Sequence, residues 1–240
     1  MRGVDFCFGA FAVERVDRRL ALSGITWLLC NHHDVLRKLN DEVREAFDGA
    51  GDDGLSTQAL AQLPYLNACL HEALRTYPPA PVGMARVAPV EGAIICGRAV
   101  APRSSALCCY VGFSFLFFSS CSQYFLLTLA HTTVYVTSYA AHHSERNFYD
   151  PEGFHPERWL PDPDPCFSTD KLSACEPFSL GPRNCIGKNL AWHEMRWVLT
   201  AFLLNFDIAL AEQAKNNWLD QKAYLVWERP PLYIKLIPQE

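Results

Sequence analysis

Apolar residues recur at helical spacing along several stretches of the chain. Leu20, Leu22, Ile25, Leu28 and Leu29, followed by Val35, Leu36, Leu39, Val43 and Phe47, fall on one side of a 3.6-residue period. Polar residues at 31–34 interrupt it, so the pattern predicts helix over 20–47 with a break there. The Gly- and Asp-rich segment 49–54 reads as a loop. Helical period resumes over 63–77 and stops where Pro78 and Pro79 must end it. Short alternating runs at 86–90, 93–96 and 133–137 read as strands. Residues 150–166, rich in proline and acid, predict an irregular meander; a helix is expected over 187–204 and a strand over 232–237. These elements predict a mainly α fold with a small β-sheet region, an α+β class without internal repeats.

Composition narrows the function classes. At 240 residues, half of them hydrophobic, the chain can bury a sizeable core, and its net charge of −5 disfavours nucleic acid as a partner. Its ten cysteines show no regular spacing and no Cys-x-x-Cys pair, and the first residues lack the layout of a signal peptide, so reduced thiols are expected. His142, His143, Cys166 and Cys175 do not have zinc spacing. A serine hydrolase is unsupported, because no Gly-x-Ser-x-Gly turn occurs. One run stands apart: residues 104–130 contain no Asp, Glu, Lys, Arg or His and are thick with Phe, Leu, Cys and Ser. Length and lack of charge make it a transmembrane candidate.

The densest chemistry lies at 178–187, which reads Phe178-x-x-Gly181-x-Arg183-x-Cys185-x-Gly187. Gly181 and Pro182 turn the backbone so that amides can converge on a sulfur, and donors to a sulfur ligand tune the metal it holds. Cys185 precedes the helical pattern, where the positive end of a helix dipole favours thiolate over thiol. Arg183 can fork two hydrogen bonds onto a carboxylate. Phe178 would shield the sulfur from water. The alternative for Cys185 is a buried structural cysteine in a Gly-Pro turn. Upstream, Glu72 and Arg75 are three apart on one helix face, a pair that in most helices is a solvated surface pair. Apolar neighbours flank it here, and a further arginine, Arg158, follows in the His-Pro-Glu-Arg-Trp segment 155–159.

This set of motifs resembles the cytochrome P450 family. The resemblance implies a heme b cofactor with Cys185 as the axial iron ligand, and Phe178, Gly181, Arg183 and Gly187 in the cofactor-binding loop. It also implies a structural trio of Glu72, Arg75 and Arg158. Arg86 matches a position whose arginine often meets a heme propionate, although an exposed strand arginine reads equally well. In family terms the chain is similar to the C-terminal portion of the fold: the end of the distal helix, the next two helices, the small sheet, the meander, the cysteine loop and the helix behind the heme. The wording around 78–83, 155–159 and 187–191 is similar to the fungal microsomal branch, whose members often hydroxylate terpenoid or polyketide-type metabolites.

The expected activity is a heme-thiolate monooxygenation of a small hydrophobic substrate. Electrons would come from NADPH-cytochrome P450 reductase, met by positive charge at Arg183, Lys188 and Arg196. A full-length relative would sit on the cytosolic face of the endoplasmic reticulum membrane. Two departures limit what carries over. The resemblance covers residues 1–240 as a partial domain without the N-terminal half, its anchor or most pocket helices, leaving the chain cytosolic or membrane-associated through 104–130. The stretch before Leu22 lacks the acid-threonine pair that delivers protons to dioxygen, Asp17 reading as a solvated charge and Thr26 falling outside the pattern, so the fragment is expected to be inactive. The apolar run 104–130 interrupts the small sheet and is expected to be an insertion, either translated noncoding sequence such as a retained intron or a disordered or helical excursion. Two further readings stay open: a heme-binding chain without catalysis, and a membrane-associated protein defined by 104–130.

Overall fold

The computed structural model describes residues 4–7, 16–47, 55–89, 92–95, 97–100, 133–212, 218–228 and 230–239. The apolar run 104–130 lies outside this set. In chain order the elements are β1 (Val4–Cys7), α1 (Val16–Asn31), α2 (His33–Phe47), α3 (Thr57–Ala61), α4 (Pro64–Thr76), β2 (Arg86–Val87), β3 (Ala93–Ile95), β4 (Arg98–Val100), β5 (Thr133–Val134), α5 (Ser138–His142), α6 (Lys188–Asn205), β6 (Phe206–Leu210) and β7 (Tyr233–Pro238). The class is α+β, as the periodicity predicts. Two compact units are formed, one of residues 1–82 and 137–240, the other of 83–136.

The first unit is built on helices whose apolar stripes converge. The break expected at 31–34 is only one residue wide: His32 separates α1 from α2, its amide still bonding to Leu28 O and Leu29 O while its own carbonyl starts α2 through Leu36 N. Burying Val35, Leu36, Leu39, Val43 and Phe47, α2 leaves its charged face outward. Pro64 opens α4 at a position where its missing N–H costs nothing. The next orphan donors are satisfied from another helix, since the Glu42 carboxylate of α2 accepts from Tyr65 N at 2.8 Å and Leu66 N at 2.7 Å. From Cys69 to Thr76, α4 is buried on nearly every side, charged residues included.

The C-terminal sheet has the order β1-β7-β6, all antiparallel. Leu232, Ile234 and Leu236 alternate into the core with Ile208 of β6 beside Leu236. Strand β6 follows α6 without a turn residue, and its apolar run prolongs the helical period, which is why periodicity does not separate the two. Tyr77, which ends α4, stacks on Trp227 at 5.2 Å and lies 5.5 Å from Trp218. Gly24 of α1 meets that tyrosine so closely that a Cβ there would collide with the ring.

The second unit carries two small antiparallel pairs. Strand β2 pairs with β5, Arg86 opposite Val134, and β3 pairs with β4 around Gly97, whose φ of 74° is the left-handed geometry a tight hairpin needs. The strands expected at 86–90 and 133–137 shrink to two residues each, because Pro89 cannot donate to a ladder and Thr137 already caps α5. No helix among the described residues is long and apolar enough to cross a membrane.

Candidate functional site

The meander and α4 together enclose a buried ionic cluster. Glu72 Oε1 accepts from Arg75 Nη2 at 2.8 Å, Arg158 Nε at 3.1 Å and the His155 amide at 2.9 Å. Its Oε2 accepts from Arg75 Nε at 2.9 Å and from the Trp159 indole at 2.8 Å. Both guanidiniums and the carboxylate are fully shielded from solvent. The solvated surface pair that a bare Glu-x-x-Arg would usually form is therefore not what this chain makes. Arg75 also donates to the carbonyls of His142, Pro151 and Gly153, at 2.9, 2.6 and 2.7 Å, tying the helix to the meander. The Phe148 ring lies 5.3 Å from the Arg75 guanidinium and 5.7 Å from that of Arg158, while Phe167 lies 4.7 Å from the latter.

One carboxylate cannot neutralise two guanidiniums. Asp170, unnoticed in the sequence, provides the second: its Oδ2 accepts from Arg158 Nη1, with the pair almost wholly buried. Its only sequence signal is that missing charge, since it stands in a polar stretch without pattern. His142 is buried against the same cluster, its ring bonded through Nδ1 to the Arg75 carbonyl at 3.1 Å. Burial, reinforced by the nearby Arg75 charge and opposed by that bond, pushes its pKa down to about 4.

The cysteine loop leads into α6. Residues Gly181–Arg183 form a single 3-10 turn, entered through Ser179 and Gly181 at positive φ of 61° and 77°. That turn brings Cys185 back to Phe178, whose carbonyl accepts the Cys185 amide at 2.9 Å. The Cys185 carbonyl in turn accepts Lys188 N at 3.3 Å at the start of α6, and Gly187 is the residue before that helix. Phe178 packs half-buried against the core and tilts against Trp192 of α6 at 6.1 Å. Cys185 is exposed, so the buried structural alternative is set aside. Cys30, Cys69 and Cys175 are buried, and burial raises the thiol pKa of Cys30 and Cys175 to about 12. Cys166 is exposed as well, and its bond with Asp164 raises its pKa.

The segment around Cys185 exposes apolar side chains beside the polar Arg183, Asn184 and Asn189. Leu180, Ile186 and Leu190 are 67%, 104% and 53% exposed. Arg183 is exposed in the turn. Arg196, expected as a docking charge, donates from Nε to Asn67 Oδ1 at 2.7 Å and lies over Trp192 at 5.1 Å. Arg86 belongs to the second unit, where its Nη1 donates to Ala85 O at 3.2 Å. Thr26 bonds to the Leu22 carbonyl of its own helix at 2.7 Å.

Comparison with known proteins gives a consistent picture. The family described as Cytochrome P450 matches residues 20–94 and 129–236. Cytochrome P450 monooxygenase AMT3 of Alternaria alternata is 39% identical over 217 residues, 90% of this chain and 38% of the relative. Cytochrome P450 monooxygenase FUM2 of Gibberella moniliformis is 40% identical over 215 residues, 89% of this chain and 39% of the relative. The trichothecene C-4 hydroxylase of Trichoderma arundinaceum is 40% identical over 220 residues, again 90% and 38%. The chain thus spans less than two fifths of the length of these relatives.

Proposed function

Because the chain belongs to the cytochrome P450 family, we propose that it carries the proximal half of a heme-thiolate monooxygenase site, with Cys185 as the axial ligand of a heme b iron. The observation that carries this reading is the exposed Cys185, held by its amide on Phe178 O at 2.9 Å just ahead of α6, in a segment that also exposes Leu180, Ile186 and Leu190. These residues fit the group: a cysteine thiolate ahead of a helix N-terminus is a suitable donor for iron, and a flat macrocycle needs apolar side chains against its face. When bound, heme supplies the dioxygen and one-electron chemistry of a monooxygenase.

The chain's own residues set the site. Phe178 packs on Trp192 behind the loop, Gly181 at φ 77° lets the backbone turn ahead of Gly187 and α6, and Arg183 is the cation for a propionate. Glu72, Arg75 and Arg158 hold the scaffold behind the loop. Residues 1–240 correspond to the C-terminal portion of the family's domain, with 104–130 as an insertion; the family match running on both sides of 95–128 supports this. A small organic substrate and a reductase as electron donor are what membership of the family suggests for the whole protein. Membrane association of this chain would rest on 104–130.

The test is the reduced carbon monoxide difference spectrum of heme-supplied protein. A strongly red-shifted Soret band in the parent and none in Cys185→Ala is expected; the same spectrum from both would overturn the ligand assignment. Turnover is a separate claim, tested by substrate-dependent NADPH oxidation with added reductase.

A further inference from the structure

Four aromatic rings connect the buried ionic cluster to the cysteine loop. Trp159 donates its indole N–H to Glu72 Oε2 at 2.8 Å, and its ring stacks on His71 at 4.9 Å with 18° between planes. His71 faces Trp192 at 4.5 Å, and Trp192 meets Phe178 at 6.1 Å. Phe178 O then accepts the Cys185 amide. Trp192 is held from a further direction by the Arg196 guanidinium, itself anchored on Asn67. The rings come from α4, the meander, α6 and the cysteine loop, and among the described residues His71 is the ring that lies between the two indoles.

We infer that His71 is a positioning residue for the cysteine loop: wedged between Trp159 and Trp192, it fixes the α6 indole on which Phe178 rests and so sets where the Cys185 backbone is held. This rests on the reading of Cys185 as the ligand, since otherwise the loop has nothing to be positioned for. The chemistry of the wedge is consistent. Burial first, then the charges of Arg196 and Lys188, bring the His71 pKa down to about 4, so the ring is neutral at neutral pH and stacks without a charge to solvate. Aromatic contacts of this kind add to the area they bury, and they are directional, so a planar ring can replace the imidazole where a branched aliphatic group cannot.

Hydrogen exchange of the full chain tests the wedge without heme. His71→Leu, which removes the ring, is expected to speed exchange of the Cys185 amide about tenfold while the amides of α2 keep their protection. His71→Phe should restore it to within about twofold of the parent. Unchanged Cys185 exchange in His71→Leu would overturn the inference, as would an equal acceleration throughout the unit. If His71→Leu does not fold, Trp192→Leu against Trp192→Phe gives the same comparison one ring further along, with the same opposing outcomes. Labelling by iodoacetamide, followed by mass spectrometry on the peptide that carries Cys185, provides a side-chain readout: a faster rate in the ringless variants supports the wedge and an unchanged one counts against it. Because these measurements need no cofactor, the two readings fail separately: a failed carbon monoxide spectrum leaves the wedge as a contact but takes away what it positions, and a failed exchange test leaves the ligand assignment standing.

Discussion

Asp170 completes the charge balance of Arg158: the guanidinium gives its Nε to Glu72 at 3.1 Å and its Nη1 to Asp170, and neither pair sees solvent. Two carboxylates and two guanidiniums therefore occupy the cluster, which is electrically neutral as a set. Neutrality decides whether such a cluster survives burial, because the desolvation cost of each ion is offset only while every charge keeps its partner.

Asp170→Asn should therefore behave like a mutation of the trio itself. It keeps the shape and removes one charge, leaving Arg158 with an uncompensated share. Loss of about 3–5 kcal/mol of stability is expected, the range seen when one member of a buried pair is removed. Urea unfolding followed by tryptophan fluorescence measures it; a change below about 1 kcal/mol would mean that Asp170 contributes no more than a surface pair.

Trp159 offers a finer cut through the same cluster. Trp159→Phe deletes one N–H donor to the Glu72 carboxylate and keeps a ring over His71. A hydrogen bond to a charged group contributes about 1.5–3 kcal/mol, so stability should fall by that amount while Cys185 exchange stays close to the parent. Loss of Cys185 protection in this variant would place the coupling in the ion cluster and not in the rings.

Much of this was legible in the sequence, and the reason differs from element to element. The stripes of α1, α2 and α4 come through because a helix buries one face at a period that needs no knowledge of its partner. Cys185, Glu72, Arg75 and Arg158 stand out because their neighbours at fixed spacing are unusual. Asp170 enters through Arg158, twelve positions before it in a polar stretch without pattern, and the bond of Trp159 to Glu72 spans 87 positions, so neither contact can be read locally. The ring path through His71 is hidden for the same reason. Strands of two residues, such as β2 and β5, carry too few positions for alternation to register.

Gly24 shows a packing constraint that no pattern would give. Its missing side chain is what allows α1 to approach the Tyr77 ring, which is already fixed by Trp227 and Trp218. Gly24→Ala gains helix propensity of about 1 kcal/mol yet forces that ring to move, and overpacking of this kind costs about 1–3 kcal/mol, so a net loss is expected. In a Tyr77→Ala background the clash is gone and the same change should stabilise. Equilibrium unfolding of the four proteins of this cycle checks it, and additive effects would contradict the steric account.

Acid sensitivity provides the last test. His71 and His142 both titrate near pH 4 in the fold, each chiefly because burial penalises the cation, against 6.5 for an unperturbed imidazole. Between those values the unfolded chain binds protons that the folded chain does not, so stability is fully present above about pH 6.5 and declines as pH falls toward 4. Each histidine contributes on the order of 3 kcal/mol over that window at about 1.4 kcal/mol per pH unit. His71→Phe removes one of the two titrations while keeping the ring. The difference in unfolding free energy between the variant and the parent should therefore grow in the variant's favour as pH drops from 6.5 to 4.5, by up to about 1.4 kcal/mol per unit. Carboxylates that protonate in the same range affect both proteins alike and cancel in the difference. Urea titrations at half-unit intervals would reveal it, and a difference that does not change with pH would show that His71 is not held neutral by its indole neighbours.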